Sequence, residues 1–324
     1  MKMGVVSAIL DGWSFEEMID TLSEMGFSCV EVACWPQGKA ERRYAGVSHI
    51  DVDNLTDEKA EYILNYCKEK KVEISSLGYY PNTLDPDLEK RAHNIAHLKK
   101  VIDASAKLGI NLVTTFVGRD QYKTVEENIE LFKQVWPDII AYAEARKVRI
   151  GIENCPMLFG KDQWPGGQNL MTTPVIWRRL FEIANSDYFG LNYDPSHFVW
   201  QQMDYIQPLY EFKDKIFHVH FKDIKLYPEK LRECGIMAHP LDYMAPKLPG
   251  VVTILHVGYF FLKVLITSND LFAHTILLTF IFFIYHQQCF LEMQWHRLQL
   301  FYVAHIFDKI LEYLQVIIQQ QLTA

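Results

Sequence analysis

The stretch Ile216-Phe-His-Val-His-Phe-Lys-Asp223 is a short apolar run that ends in imidazole, ammonium and carboxylate groups. Two earlier stretches have the same form, Arg149-Ile-Gly-Ile-Glu-Asn154 and Tyr188-Phe-Gly-Leu-Asn-Tyr-Asp-Pro-Ser-His197. Apolar strands of this kind are typical of parallel sheets that are covered by helices on their faces. In a (β/α)8 barrel, the residues of the site lie where such strands end. The three stretches therefore predict barrel strands with a site at their carboxyl ends.

Strand-like and helix-like segments alternate along residues 1–223. The predicted strands are Met3–Ile9, Cys29–Ala33, Glu73–Gly78, Leu112–Val117, Val148–Glu153, Phe189–Asp194 and Ile216–Phe221. The predicted helices are Ser14–Met25, Thr56–Lys70, Asp87–Leu108, Thr124–Arg146, Thr173–Asn185 and Asp204–Phe212. Because such alternation indicates βαβ units with parallel strands, we predict an α/β fold, a (β/α)8 TIM barrel. A doubly wound open sheet is the alternative, but no glycine-rich phosphate loop follows the first strand.

Local signals at the helix ends support this division of the chain. Ser14 is followed three residues later by Glu17, which is the pattern of a capping box. Thr56 stands before an acidic first turn, as a helix N-cap residue does. Gly26 and Gly109 come just after helical segments, where a left-handed residue is needed to end the helix.

The composition changes near Gly250. Residues 251–324 hold only seven of the 32 basic and 40 acidic residues and are rich in Leu, Phe, Ile and His. We therefore divide the chain into a barrel over residues 1–250 and an atypical hydrophobic tail over 251–324, and expect the barrel to be incomplete or distorted at its C-terminal units. The favoured interpretation of the tail is a displaced reading frame. A genuine membrane or partner segment is the alternative, but residues 271–285 are shorter than the roughly 20 needed to span a bilayer.

Charge and cysteine usage narrow the class of protein. The net charge is −8 and the pI is near 5.8, so no basic field is present to bind nucleic acid. The six cysteines show no CxxC spacing, and the first residues read as a strand rather than a signal peptide. We expect a cytoplasmic enzyme with reduced thiols and without a membrane partner.

The three motifs together, with Glu153, Asp194 and His220 at their ends, resemble the xylose isomerase-like TIM barrel superfamily. Within it, they are most similar to the sugar phosphate isomerase/epimerase group. The resemblance covers about residues 1–250 and does not extend into the tail. It implies an isomerase or epimerase in carbohydrate metabolism, acting on a small sugar, sugar phosphate or polyol through an enediolate. It also implies a homodimer and one divalent metal ion, with Mn²⁺, Co²⁺ or Mg²⁺ favoured and Zn²⁺ also suited to these ligands.

The resemblance also implies roles for individual residues. Glu153, Asp194 and His220 correspond to three metal ligands, and Glu153 is also expected to act as a catalytic base. His197 corresponds to a catalytic histidine that contacts substrate oxygens. A fourth ligand, a glutamate on the eighth strand, has no counterpart, because the chain reads Phe-Ala-His-Thr-Ile-Leu-Leu-Thr-Phe over residues 272–280. This loss predicts impaired activity.

Further substrate-binding candidates are Trp35, Lys222 and His239, in addition to His197. Trp35 follows the second predicted strand and offers an aromatic face, and His239 lies in a loop. Lys222 has a simpler alternative role, a local ion pair with Asp223. Of the two neighbouring histidines of the last motif, we expect His220 rather than His218 to point into the barrel.

Two other functions stay open at this point. Inosose dehydratase-like lyases of the same superfamily share these ligands and the enolate chemistry. A degenerate barrel that binds metal without catalysis is the second alternative. Metal analysis combined with a proton-exchange assay distinguishes an enzyme from an inactive binder.

Overall fold

The computed structural model describes residues 2–38, 45–158, 167–247 and the backbone of 277–280. The barrel strands are β1 (Lys2–Val6), β2 (Cys29–Ala33), β3 (Glu73–Gly78), β4 (Leu112–Thr115), β5 (Arg149–Glu153), β6 (Phe189–Tyr193), β7 (Ile216–Phe221) and β10 (Leu277–Phe280). An antiparallel pair, β8 (Asp223–Leu226) and β9 (Met244–Lys247), lies outside the barrel. The helices are α1 (Phe15–Glu24), α2 (Asp57–Lys70), α3 (Leu88–Lys107), α4 (Val125–Ala145), α5 (Pro174–Ala184), α6 (Ser196–Trp200), α7 (Gln207–Glu211) and α8 (Pro228–Cys234).

The eight barrel strands are parallel and form a closed ring in the order β1-β10-β7-β6-β5-β4-β3-β2. All seven predicted strands are present, and the predicted (β/α)8 barrel is confirmed. The main difference lies in the first strand, which ends at Val6 because residues Ser7–Ile9 turn into a 3-10 helix. The last predicted helix is also shorter and spans only Gln207–Glu211.

The predicted helix ends are also confirmed. The Ser14 hydroxyl accepts a hydrogen bond from the Glu17 amide at 3.1 Å, and the Glu17 carboxylate accepts one from the Ser14 amide at 2.8 Å. These two bonds satisfy amide groups that have no partner within the helix. Gly26 and Gly109 follow α1 and α3 with φ angles of 80° and 66°, which a residue with a Cβ adopts only at a cost.

Among the described residues, β8, the short helix α8 and β9 follow β7. The eighth position of the barrel is filled by Leu277–Phe280, which pairs with β1 on one side and β7 on the other. This four-residue strand contains no carboxylate. Apart from this strand, the predicted tail lies outside the described residues.

The layer between strands and helices differs in character from the barrel interior. Apolar side chains such as Trp136, Trp177 and Phe189 fill the layer and are fully buried. The interior also holds charged side chains, among them Glu31, His220 and Lys222. Buried charges are costly unless they are paired. Within the described residues, no helix has the length and apolar character needed to cross a bilayer.

Candidate metal centre and active site

Strand β7 and the residue that follows it place three cationic or imidazole side chains in the barrel interior. His218 and His220 are two residues apart in β7 and therefore share one face of the strand, and Lys222 comes directly after the strand ends at Phe221. The two imidazole rings are buried, with their centroids 5.4 Å apart. The expectation that only His220 points inward is wrong, because a spacing of two puts both rings on the inner face.

Four side chains from three strand ends meet at the mouth of the barrel, and we name them the upper cluster. They are Glu153 at the end of β5, Asp194 after β6, His197 in α6 and Lys222 after β7. The Lys222 Nζ atom lies 2.8 Å from Asp194 Oδ2 and 3.5 Å from Glu153 Oε1. The His197 Nε2 atom lies 3.5 Å from Asp194 Oδ2 and 3.7 Å from Glu153 Oε1.

Backbone and amide contacts fix the direction of the Asp194 carboxylate. The Asn154 side chain donates to the Asp194 carbonyl at 2.9 Å and accepts from the Asp194 amide at 2.7 Å. The Ser196 amide donates to Asp194 Oδ1 at 2.9 Å. These bonds occupy one carboxylate oxygen and leave Oδ2 facing Lys222. The local Asp-Pro-Ser turn after β6 thus aims one oxygen into the upper cluster.

Deeper in the barrel, Glu31, His218 and His220 form a second group, which we name the lower cluster. The His220 Nε2 atom lies 2.9 Å from Glu31 Oε2, and His218 Nδ1 lies 3.8 Å from the same oxygen. Glu31 also accepts hydrogen bonds from the hydroxyl groups of Tyr80 at 2.6 Å and Ser76 at 3.1 Å. The buried carboxylate therefore has a donor on each oxygen, as a charge in a dry interior requires.

His220 connects the two clusters. Its Nδ1 atom lies 3.4 Å from Glu153 Oε1, while its Nε2 atom contacts Glu31. Burial alone would lower the pKa of His220, but the carboxylates of Glu31 and Glu153 raise it to about 9. The ring is thus a cation between two carboxylates. As a metal ligand it would have to give up the Nδ1 proton, with Glu31 holding the other nitrogen.

The surroundings of Glu153, His218 and Lys222 determine whether each side chain is charged. Burial would raise the pKa of Glu153, but Lys222 and His220 hold it well below its usual range. Burial lowers the pKa of His218 to about 3, so this ring is neutral. Its Nδ1–H donates to the Asn192 side-chain oxygen at 3.0 Å, consistent with a neutral tautomer. Burial would lower the pKa of Lys222, but Asp194 and Glu153 raise it above its ordinary value.

The charge of His197 is decided by its contact with Lys222. Burial and the Lys222 ammonium oppose a rise in the pKa of His197, whereas Cys155 and Asp194 favour it. However, His197 Nε2 lies only 2.8 Å from Lys222 Nζ, and a proton on that nitrogen would point at an ammonium group. We therefore assign Nε2 as the acceptor and Lys222 as the donor. The lysine carries the positive charge of this pair.

The upper cluster has the donor set of a divalent metal site. Single atoms of Glu153, Asp194 and His197 lie within 4.8 Å of one another, and the same holds for Glu31, His218 and His220 in the lower cluster. Two metal–ligand bonds of about 2.0–2.2 Å each join ligand atoms up to about 4.4 Å apart, and the separations of 3.5 and 3.7 Å from His197 Nε2 to the two carboxylates lie within that reach. Of the three predicted ligands, Glu153 and Asp194 lie together in the upper cluster. His220 touches Glu153 but also belongs to the lower cluster.

The other two candidates lie outside both clusters. Trp35 follows β2 and packs edge-on against Tyr79, with ring centroids 4.9 Å apart. His239 is half-buried and accepts a hydrogen bond from the Leu241 amide at 3.3 Å, which caps a short 3-10 turn. Their roles as substrate contacts stay predictions.

Glu31 is the main site residue that the motifs did not identify. It stands in Cys29-Val-Glu-Val-Ala33, where every residue is buried. One acidic residue inside a fully apolar strand is a usable signal, because a buried carboxylate requires partners. Those partners are not visible in the sequence, since His220 is 189 positions away.

Comparison with known proteins supports the family. At 23% identity over 256 residues, the chain resembles the uncharacterized protein YfiH of Bacillus subtilis (strain 168), covering 70% of this chain and 74% of YfiH. Its fold is similar to D-psicose 3-epimerase with D-tagatose from Clostridium cellulolyticum H10, at TM-score 0.58 and 14% identity, covering 87% and 84% of the two chains. It is also similar to the IOLI protein with a bound zinc atom, at TM-score 0.61 and 16% identity, covering 94% and 95%. The family model described as xylose isomerase-like TIM barrel matches residues 19–237, more than half of the chain, and the protein belongs to this family.

Proposed function

We propose that this protein is a divalent-metal-dependent isomerase or epimerase of a sugar or sugar phosphate. The observation that carries the proposal is the Glu153 carboxylate, which is buried at the barrel mouth beside Asp194 and two histidines. Glu153 is ionised at neutral pH because its pKa is held well below the usual range. An ionised carboxylate is the form that accepts a proton. A cytoplasmic homodimer is part of the same proposal.

The chain offers oxygen and nitrogen ligands for the ion. Glu153 and Asp194 supply carboxylate oxygens, and His197 and His220 supply imidazole nitrogens. When bound, a divalent ion acts as a Lewis acid and stabilises negative charge on a carbonyl oxygen. Mn²⁺, Co²⁺ and Mg²⁺ match the oxygen-rich part of the set, and Zn²⁺ matches its imidazole part.

The side chains around the ion carry out the proton transfers. Glu153 accepts the proton from the carbon next to the substrate carbonyl and thereby forms an enediolate. His197, whose Nε2 atom lies 3.7 Å from Glu153 and 3.5 Å from Asp194, contacts a substrate oxygen in this proposal. Trp35, Lys222 and His239 complete the proposed set of substrate contacts. Because Glu153, Asp194 and Lys222 are buried, charge stabilisation beside them is stronger than in solution.

A second candidate function is a barrel that binds metal but does not catalyse a reaction. It is favoured by strand β10, which stands at the eighth position and has the sequence Leu-Leu-Thr-Phe without a carboxylate. An epimerase needs an acid or base on each face of the reacting carbon, and Glu153 serves only one face. An isomerase can move a proton with a single base on one face, so this observation weighs against epimerisation more than against isomerisation.

Solvent isotope exchange tests the proposal. The full chain, stripped of metal and then loaded with Mn²⁺, is incubated in D₂O with ketoses and ketose phosphates, and NMR follows the carbon next to the carbonyl. We expect deuterium to enter at that carbon with Mn²⁺ and not after chelation. Bound metal without exchange on any ketose would support the non-catalytic alternative and overturn the enzymatic one.

A further inference from the structure

The ammonium group of Lys222 lies at the centre of the upper cluster. Its Nζ atom is 2.8 Å from Asp194 Oδ2, 2.8 Å from His197 Nε2 and 3.5 Å from Glu153 Oε1. They belong to the three residues that each offer one ligand atom within 4.8 Å of the others. The lysine nitrogen thus contacts every residue of the proposed ligand set in this cluster.

An ammonium group and a divalent ion cannot share this position. Both carry positive charge, and at separations of about 4 Å or less their repulsion in a buried site is large. Each metal bond is also shorter than the present nitrogen–oxygen contacts, so an ion bound to Asp194 and Glu153 would sit where Nζ now lies. Lys222 has a flexible four-carbon stem, which allows the nitrogen to withdraw without moving β7.

We propose that Lys222 is the resident cation of the upper cluster and that a divalent ion binds there only by displacing it. The inference rests on the proposed function, since it assumes that the upper cluster is the metal site. Lys222 neutralises Asp194 and Glu153 in the metal-free protein and weakens metal binding by competition.

The burial of the charges explains why a cation is needed at this place. Asp194 is 0% exposed, Glu153 5% and Lys222 4%. Removing one partner of a buried ion pair leaves an uncompensated charge and is strongly destabilising. Without metal, the stability of the fold therefore depends on the positive charge of Lys222, and a bound metal ion can neutralise the two carboxylates in its place. Protein stability and metal binding are thus linked through this one side chain.

Metal affinity of lysine variants tests the inference. Binding of Mn²⁺ to the full chain is measured by electron paramagnetic resonance of free Mn²⁺, and thermal unfolding is followed with and without Mn²⁺. The variants are Lys222→Met, which removes the charge, Lys222→Gln, which keeps a donor without charge, and Lys222→Arg, which keeps the charge. Lys100→Met is the control, because Lys100 pairs with Asp53 at the surface and its removal changes the net charge equally.

The expected result is a clear division between the variants. Lys222→Met and Lys222→Gln bind Mn²⁺ more than about ten-fold tighter than the natural protein, since the repulsion is gone. They unfold at lower temperature without metal and recover with Mn²⁺. Lys222→Arg and Lys100→Met bind as weakly as the natural protein.

Three results would overturn the inference. Unchanged or weaker Mn²⁺ binding by both neutral variants would show that Lys222 does not compete with the ion. Neutral variants that fail to fold even with Mn²⁺ would show that metal cannot replace the ammonium group. An equal gain in Mn²⁺ affinity in Lys100→Met would show that the change in net charge, and not the position of Lys222, causes the effect.

Failure of the inference is distinguishable from failure of the proposed function. If the natural protein shows metal-dependent deuterium exchange but the neutral variants gain no Mn²⁺ affinity, the inference is wrong and the proposed function is supported. If those variants bind Mn²⁺ more tightly but no protein shows exchange at saturating Mn²⁺, the inference is supported and the proposed function is wrong.

Discussion

The upper and lower clusters both place carboxylates in the barrel interior, but different cations balance them. In the upper cluster, Asp194 faces the ammonium of Lys222 at 2.8 Å. In the lower cluster, Glu31 faces the His220 ring at 2.9 Å, with Tyr80 and Ser76 as further donors. A lysine is a mobile point charge, whereas an imidazole packed between two carboxylates is held in one orientation. The upper cluster is therefore suited to exchange its cation, and the lower cluster to hold a ligand in place.

The largest expected effect follows from removing the proposed base of the upper cluster. Glu153→Gln should lower the rate of deuterium exchange into a ketose by about 10²–10⁴-fold, because the amide cannot accept the proton. Glu130→Gln is the matched control, since Glu130 pairs with Lys133 on the surface, and it should exchange normally. An unchanged rate in Glu153→Gln would remove Glu153 from the chemistry.

The next effect concerns stability. Asp194→Ala removes the 2.8 Å partner of Lys222 and leaves a buried ammonium, so the free energy of unfolding should fall by about 3–5 kcal/mol in urea titrations. Asp53→Ala breaks the surface pair with Lys100 and should cost at most about 1 kcal/mol. Similar losses of unfolding free energy in both variants would show that the buried pair of Asp194 and Lys222 stabilises the protein no more than a surface ion pair does.

A smaller effect is expected when a residue of the lower cluster is replaced and the affinity for Mn²⁺ is measured. Glu31→Gln weakens the contact that orients His220, so the affinity for Mn²⁺ should drop about 10–100-fold, the usual effect of losing an outer partner of a ligand. Tyr80→Phe keeps the carboxylate and removes one of its donors, and it should weaken binding less. If Glu31→Gln binds Mn²⁺ as tightly as the natural protein, His220 is not a ligand that Glu31 orients.

The smallest effect tests the space around Glu31. A Cβ at Gly78 would lie 2.8 Å from Glu31 Oε1, so Gly78→Ala must push the carboxylate aside and should cost about 1–3 kcal/mol of unfolding free energy. Gly151→Ala in β5 is the control, because its Cβ would meet atoms only at 3.4–3.5 Å. Equal stability of the two variants would show that the position of Glu31 is not tightly packed.

The part of the fold that could be predicted is the part that depends on local patterns. The apolar runs before Glu153, Asp194 and His220 predicted three strands and their polar ends. The capping residues Ser14 and Thr56 predicted helix starts, and both hydroxyls accept from an amide three residues later. Such signals need only a few neighbouring residues, and for this reason they can be recognised without the structure.

The contacts across the barrel could not be predicted in this way. Lys222 stands beside Asp223 in sequence, which suggested a local ion pair, but its partners Asp194 and Glu153 come from other strands. Glu31 and His220 meet only because the ring of strands closes. Strand β10 could not be recognised in the sequence either, because few charged residues stand near it to mark where a strand ends. Register and closure, rather than local propensity, determine these contacts.

The upper cluster is the proposed metal centre of the protein. Anomalous diffraction at the manganese edge, from crystals of the full chain loaded with Mn²⁺, locates the bound ion. We expect one manganese bound to Glu153 and Asp194, with the Lys222 nitrogen moved away from Asp194 Oδ2. Manganese bound between Glu31 and His218, or Lys222 still paired with Asp194 beside a bound ion, would contradict it.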